Sequence, residues 1–335
     1  MRATACFLFL TAATLMAAAN GHHVLGKIQI GAEGGWDYVT MDSAARRLYV
    51  SHATRVFVVD ADSEKVVGEI PDTPGVHGIA VAPKLNRGYT SNGRSNNVTI
   101  FDLKTLKVLG QAPTGQNPDS IVYDAPSNRV FTFNGRSNDA TAIEAGTGKA
   151  AATIPLGGKP EFAVSDGKGK IYVNIEDTHE VAEIDTGKLA VTKRYSLTGC
   201  EEPSGLALDI KHRRLFSVCA NKVMVMSEPD SGKVIAAVPI GQGTDGAGFD
   251  AERGLAFSSN GEGTLTVVGE VSGKYEVVET VPTQRGARTM TLDPKTHKIY
   301  LPTAQFGPTP AATPQQPRPR PAALPDSFML LVVGQ

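Results

Sequence analysis

The sequence repeats the same pattern seven times, at a spacing of 40 to 43 residues. The aligned units open at Asp37, His77, Asp119, Glu161, Ser204, Asp245 and Arg288. The first unit contains four short apolar runs, YVTMD, RLYVSH, VFVVD and KVVGEI, and the next five units follow it without a helical pattern. Four short strands in about 40 residues are typical of a β-propeller blade. Because one blade cannot bury both of its faces, neighbouring blades must pack around a central axis. We therefore predict an all-β, seven-bladed β-propeller.

The seventh unit lacks one strand at its C-terminal end. After Arg288 the chain supplies TMTLD, KIYLPT and SFMLLVV, and then ends. A fourth strand of matching character, VLGKIQI, lies at residues 24–30. We predict that this N-terminal strand completes the last blade and closes the ring, which covers a strand edge that otherwise invites aggregation.

Residues 1–19 have the features of a secretory signal peptide. Arg2 provides a positive charge, residues 3–16 are apolar, and residues 17–19 are small residues suited to cleavage. An uncleaved anchor is the alternative, but the apolar stretch is shorter than the roughly 20 residues that a membrane-spanning helix needs. We expect a signal peptide over 1–19 and one propeller domain over 20–335. The mature chain is then periplasmic or secreted, without a membrane span, and we expect a monomer.

Two cysteines remain after removal of the predicted signal peptide. Cys200 precedes the first strand of the fifth unit, and Cys219 ends its second strand. In an oxidising compartment, two thiols this close in sequence predict a local disulfide. A redox or catalytic role is the less favoured alternative because no CxxC motif is present. The absence of CxxCH excludes covalent c-type haem.

The charge of the chain is balanced, with 33 Lys and Arg against 34 Asp and Glu. Binding of nucleic acid or an anionic membrane through bulk electrostatic attraction is therefore not indicated.

Polar and charged residues recur where a propeller has its channel mouth. The first strand of each blade lines the channel, and the loops that enter it share one face with the loops between second and third strands. We expect a small molecule or a protein to bind there. The candidate ligand-binding residues are Trp36, Asp37, His77, Arg94, Asp119, Arg136, Glu161, Glu176, Asp245 and Arg288.

Several of these candidates are carboxylates, which raise one another's pKa when crowded unless a cation neutralises them. A divalent metal, Ca, Mn or Zn, is therefore a possible cofactor. Its candidate ligands are Asp37, Asp119, Glu161, Asn174 and Asp245. A structural role between blades is an equally good interpretation of the acidic residues. His77 is predicted to be solvated or hydrogen-bonded, with proton transfer or metal ligation as the alternative.

The segment NGRSN occurs in both the second and the third unit. Its Asn and Gly suit a turn, which explains those two residue types. A turn does not require arginine at the same offset, and this singles out Arg94 and Arg136. They are predicted either to form salt bridges with Asp119 and Glu161 or to bind an anionic ligand group.

A Pro-rich stretch over residues 302–325 separates the second and third strands of the last blade. Its composition favours an extended, polyproline-like loop on the channel-mouth face. It is either a lid or partner-binding arm, or a tolerated insertion, because long surface loops cost little additional closure entropy.

The repeated elements YVSH, YTSN and YVNI, followed by V-D and K-V, resemble bacterial YVTN-type propeller repeats and YncE-like exported propellers. The resemblance covers essentially the whole mature chain. It implies a periplasmic seven-bladed propeller without an established catalytic motif, and so provides no catalytic residues.

Neither GxSxG nor HExxH occurs in the chain. We therefore predict a ligand- or partner-binding scaffold that acts through the channel mouth. The alternative is a divalent-metal-dependent hydrolase or lyase of the lactonase type, and no motif decides whether the chain is an enzyme.

Overall fold

The computed structural model describes residues 21–311, 313, 319 and 321–335. The predicted signal peptide, residues 1–19, lies outside the described residues. Twenty-eight strands form seven antiparallel sheets of four strands each, and the one helix in the described part of the chain is a 3-10 turn at Pro83–Leu85. The predicted seven-bladed β-propeller is confirmed.

The strand bounds follow the predicted units closely. The first strand, β1 (His23–Gln29), belongs to the last blade. From the channel outward, blades 1 to 3 contain β2 (Trp36–Asp42), β3 (Arg47–His52), β4 (Arg55–Asp60), β5 (Lys65–Ile70); β6 (Val76–Ala82), β7 (Arg87–Asn92), β8 (Asn97–Asp102), β9 (Val108–Pro113); β10 (Pro118–Asp124), β11 (Arg129–Asn134), β12 (Asp139–Glu144) and β13 (Ala150–Pro155).

The remaining blades have the same order. Blades 4 to 7 contain β14 (Pro160–Ser165), β15 (Lys170–Ile175), β16 (Glu180–Asp185), β17 (Ala190–Ser196); β18 (Pro203–Asp209), β19 (Arg214–Cys219), β20 (Val223–Ser227), β21 (Val234–Pro239); β22 (Thr244–Asp250), β23 (Leu255–Asn260), β24 (Thr264–Val271), β25 (Lys274–Pro282); β26 (Thr291–Leu292), β27 (Ile299–Thr303), β28 (Met329–Gly334) and then β1.

Burial explains why the two middle strands of each blade read as continuous apolar runs. In β3, five of six residues are buried, whereas the outer strand β5 is mostly exposed. Middle strands are covered on both faces by the neighbouring blades, so both sets of side chains are apolar. The core clusters accordingly lie between blades; one joins Phe131 of blade 3 to Ile171 of blade 4.

The last blade combines both ends of the described chain. β1 pairs antiparallel with β28, with His23 opposite Gly334 and Gln29 opposite Met329. The Pro-rich stretch lies between β27 and β28, but Pro302 itself belongs to β27, so the insertion starts after Thr303. Among its described residues, Phe306 and Ala323 form an isolated antiparallel bridge.

The predicted disulfide is confirmed. Cys200, in the loop that enters blade 5, is bonded to Cys219 at the end of β19, with an S–S distance of 2.06 Å. No helix in the described ranges is long and apolar enough to cross a membrane.

Candidate functional site

The residue that opens each repeat takes the second position of the innermost strand in six blades. We call the set the channel ring; its members are Asp37, His77, Asp119, Glu161, Ser204 and Asp245, together with Arg288, which precedes β26. In each of the six strands the pairing register shifts across this position. A bulge of this kind re-aims a side chain away from the regular pleat.

Serines of the second strands stabilise the bulges in blades 1 and 2. The amide of Asp37 donates to the hydroxyl of Ser51 at 3.1 Å, and that hydroxyl donates to the carbonyl of Tyr38 at 2.9 Å. In blade 2 the amide of Gly78 donates to Ser91 at 2.9 Å. These serines therefore satisfy backbone groups that the irregular pairing leaves without a strand partner.

Ion pairs connect channel-ring residues across blades. His77 Nδ1 lies 2.6 Å from Asp37 Oδ2 and 3.7 Å from Asp119 Oδ1. Arg288 lies 3.4 Å from Asp37 Oδ1 and 3.2 Å from Asp245 Oδ2. Asp37 is therefore shared between two cationic side chains, and blades 1, 2, 3, 6 and 7 are linked by charge.

The histidine of the ring is protonated at neutral pH. Burial alone would lower the pKa of His77, but the hydrogen bond to Asp37 and the charge of Asp119 outweigh it and raise that pKa to about 9. His77 therefore donates from Nδ1 to the Asp37 carboxylate.

Three carboxyl groups of the channel ring are largely buried, which disfavours their charged form. Burial raises the pKa of Asp119, Glu161 and Asp245 well above its usual range; His77 partly opposes the rise at Asp119, and Arg288 at Asp245. Oδ1 of Asp119 and Oε2 of Glu161 are buried and have no hydrogen-bond partner among the described residues. The ring thus holds more carboxyl groups than its own cations neutralise.

Two aromatic rings lie beside the carboxyls in the channel. Tyr38 and Phe162 meet edge to face, with their centroids 5.2 Å apart. Burial raises the pKa of the Tyr38 hydroxyl well above its usual value, and the charges of Asp119 and Glu161 add to the effect. Both rings also line a cavity of only about 50 Å³. This cavity is much smaller than a typical small-molecule site.

Lys159 connects the channel ring to Glu176, which follows β15. Its ammonium group lies 3.6 Å from Glu161 Oε2 and also contacts the carboxylate of Glu176. The predicted candidates Glu161 and Glu176 are thus brought together by Lys159, a residue that the sequence interpretation missed. The signal that could have found it is its position two residues before Glu161.

One group of side chains could together hold a metal ion. Asp37, His77 and Asp119 each place one potential ligand atom so that all three lie within 4.8 Å of one another. Carboxylate oxygen and imidazole nitrogen suit several divalent metals. Asp37 and Asp119 were predicted metal ligands. His77 was predicted to be solvated or hydrogen-bonded, with metal ligation as part of the alternative.

Asn174, also a predicted metal ligand, is engaged elsewhere. Its buried amide donates to the carbonyls of Ser204 and Gly205, at 2.8 and 3.2 Å, and accepts from Ser217 at 3.0 Å. These bonds join blade 4 to blade 5 and involve both the oxygen and the nitrogen of the amide, so metal ligation by Asn174 stays a prediction.

A cavity of about 670 Å³ opens at the mouth between blades 6, 7 and 1. Its wall includes Trp36, Asp245, Glu262, Arg285, Arg288 and Phe306. The Trp36 ring centroid lies 6.1 Å from that of Phe306 and 5.1 Å from that of Phe328. Because Phe306 belongs to the Pro-rich insertion, this insertion forms part of the cavity wall.

Arg94 and Arg136 lie outside this cavity. Both are exposed, at equivalent positions after β7 and β11. Within the described residues neither has an ion pair, so the predicted salt bridges to Asp119 and Glu161 do not form. Gly93, which precedes Arg94, packs against the ring: a Cβ there would lie 2.6 Å from His77 Nε2.

Comparison with solved structures found the same architecture in hydrazine synthase from Kuenenia stuttgartiensis. The match has a TM-score of 0.71 at 18% sequence identity and covers 83% of this chain and 95% of that chain. At this identity the likeness shows the fold alone. Neither the protein-family models nor the curated protein sequences that were compared with the chain gave a match.

Proposed function

We propose that this protein is an exported β-propeller that binds a small molecule at its channel mouth. The observation that carries the proposal is the cavity of about 670 Å³ between blades 6, 7 and 1. Its size is typical of a small-molecule site, and such sites combine apolar walls with a few placed polar groups. Trp36, Asp245 and Arg288 were candidate binding residues and all line it.

The ion pairs of Arg288 support binding because they hold its guanidinium group in place before a ligand arrives. Asp37 and Asp245 contact it from two different blades. A side chain fixed in this way loses less conformational entropy on binding. Arg94 and Arg136 extend the proposed surface across blades 2 and 3, where a ligand larger than the cavity or a protein partner would reach them.

Export is proposed on two features. Residues 1–19 have the composition of a signal peptide, and the Cys200–Cys219 disulfide is typical of an oxidising compartment. The resemblance to YncE-like exported propellers points the same way.

Thermal denaturation with a library of small organic acids, amines and sugars tests the binding proposal. We expect at least one compound to raise the melting temperature by preferential binding to the folded state. Arg288→Gln should lower the affinity for that compound about tenfold, because a charge-assisted contact is lost. Arg253→Gln, in the turn at the opposite end of β22, is the matched control and should leave the shift unchanged. A compound that stabilises both variants equally would contradict binding at the mouth.

A second candidate function is a divalent-metal-dependent hydrolase or lyase of the lactonase type. The observation that favours it is the convergence of Asp37, His77 and Asp119, next to the Glu161 carboxyl, whose buried Oε2 atom has no hydrogen bond among the described residues. Such a metal would polarise a substrate carbonyl, while Glu161 would hold or accept a proton.

Metal content by mass spectrometry tests this candidate on protein purified without chelator. We expect one equivalent of Ca, Mn or Zn, lost when both Asp37 and Asp119 are changed to Asn. Ser204→Ala, which alters an uncharged member of the channel ring, should keep the metal. A lactone-hydrolysing activity that survives complete chelation would reject the metal-dependent mechanism.

A further inference from the structure

The wall of the mouth cavity is aromatic on one side. Trp36 and Phe306 both line it, 6.1 Å apart, and Phe328 packs behind Trp36 at 5.1 Å. Large rings that are held by their neighbours offer flat contact area at little entropic cost. A ligand with a planar, apolar body makes best use of such a wall.

Charge is available on the other side. Arg288 already forms ion pairs with Asp37 and Asp245, and Oε1 of Glu262 accepts a hydrogen bond from Thr264 at 3.1 Å. Arg285 is exposed, and its side chain has no hydrogen bond or ion pair within the part of the chain that the structure describes. Its guanidinium group is therefore free to bind a planar oxyanion with two parallel hydrogen bonds.

Gly35 lies in the same wall, and neither its backbone conformation nor its packing requires a glycine. Three other glycines line the cavity: Gly243 and Gly286 have φ values of +69° and +84°, and a Cβ on Gly261 would lie 2.9 Å from a backbone oxygen. Gly35 does not have a positive φ, and a Cβ there would meet nothing within 4 Å. A side chain at Gly35 would thus extend into open space at the cavity wall without displacing protein.

We infer that the mouth cavity binds a flat organic anion, such as an aromatic carboxylate, with its ring against Trp36 and Phe306 and its anionic group on Arg285. This inference rests on the proposed small-molecule binding and specifies the ligand class for the same site.

The chain reports on this site directly, because Trp36 is its only tryptophan. Three benzene derivatives of similar size carry a substituent of different charge: benzoate is anionic, benzyl alcohol is neutral and benzylamine is cationic. We expect benzoate to change the Trp36 emission saturably, with a dissociation constant about tenfold lower than those of the other two compounds.

Two variants assign the contacts, each with a matched control. Arg285→Gln should raise the benzoate dissociation constant about tenfold and leave that of benzyl alcohol unchanged. Arg253→Gln, an exposed arginine outside the cavity, should alter neither. Gly35→Leu should abolish the response. Gly110→Leu, in the outer strand β9 where a Cβ also meets nothing within 4 Å, should keep it.

The outcomes separate the ligand class from the binding site. The anionic ligand class is wrong if benzyl alcohol or benzylamine binds as tightly as benzoate. Binding at the mouth is still supported in that case, provided that Gly35→Leu abolishes the response. No saturable response to any of the three compounds also overturns the ligand class. The thermal denaturation screen, which compares the protein with its Arg288→Gln variant, then tests the proposed function independently.

Discussion

At the scale of single residues, His52 is buried without a charge partner. It is 1% exposed at the end of β3, its ring lies 4.6 Å from that of Phe328, and its Nε2 atom has no hydrogen-bond partner among the described residues. Burial, and to a lesser degree the charge of Arg55, lowers the pKa of His52 from its usual 6.5 to about 4. The folded protein therefore holds this imidazole neutral through mild acid.

This pKa predicts how stability depends on pH. The unfolded chain protonates His52 as the pH falls through its usual pKa, whereas the folded chain does so only near pH 4. Acidification from about pH 7.5 to about pH 4 should therefore reduce the free energy of unfolding by about 3 kcal/mol through this residue. Urea unfolding at both pH values should show a loss smaller by that amount in His52→Leu. Equal losses in the two proteins would show that His52 does not titrate as described.

A second residue-scale prediction uses the two NGRSN segments. A Cβ on Gly93 would lie 2.6 Å from His77 Nε2, whereas a Cβ on Gly135 meets nothing closer than 3.6 Å. Gly93→Ala should displace the imidazole from Asp37 and lower the pKa of His77 from about 9 toward its usual value. NMR titration of the chelator-treated protein measures this, with Gly135→Ala as the matched control. An unchanged pKa in Gly93→Ala would mean that His77 is not held by this contact.

At the scale of elements, the disulfide ties the loop that enters blade 5 to the strand beneath it. The two cysteines are 19 residues apart in sequence. Closing a loop of that size restricts the unfolded chain and contributes about 3 kcal/mol in the chain-entropy description. Changing Cys200 and Cys219 together to Ala should lower the free energy of unfolding by about this amount, measured by urea denaturation. Reduction of the native protein with a thiol should give the same loss, and stability equal to the oxidised protein in both cases would contradict the assignment.

The elements also show what the sequence could predict. Middle strands were predictable because burial on both faces leaves continuous apolar runs, and ring residues were predictable because they recur at one register. The hydrogen bonds of Asn174 were not predicted, although asparagines at the ends of second strands also have structural contacts elsewhere: Asn92 donates to the Thr99 hydroxyl at 2.9 Å within its own blade. The cavity was not predictable, since Trp36 and Phe306 meet only after the ring has formed.

At the scale of the whole molecule, we propose that the ring closes through β1. Ile28 is 2% exposed and belongs to the core cluster between blades 7 and 1, whereas Leu25 on the same strand is 44% exposed. If β1 holds these blades together, Ile28→Ala should cost about 3 kcal/mol of unfolding free energy and Leu25→Ala less than about 1 kcal/mol. Chemical denaturation of both variants measures the difference. Similar, small effects would show that β1 is not required for closure.

The central claim is that this propeller binds a small molecule at the channel mouth, and a crystal structure with the best compound from the library tests it most directly. We predict electron density for that compound in the cavity between blades 6, 7 and 1, in contact with Trp36 and Arg288. Density confined to the groove beside Ile235 and Tyr275, or to the opposite face of the propeller, would contradict the claim.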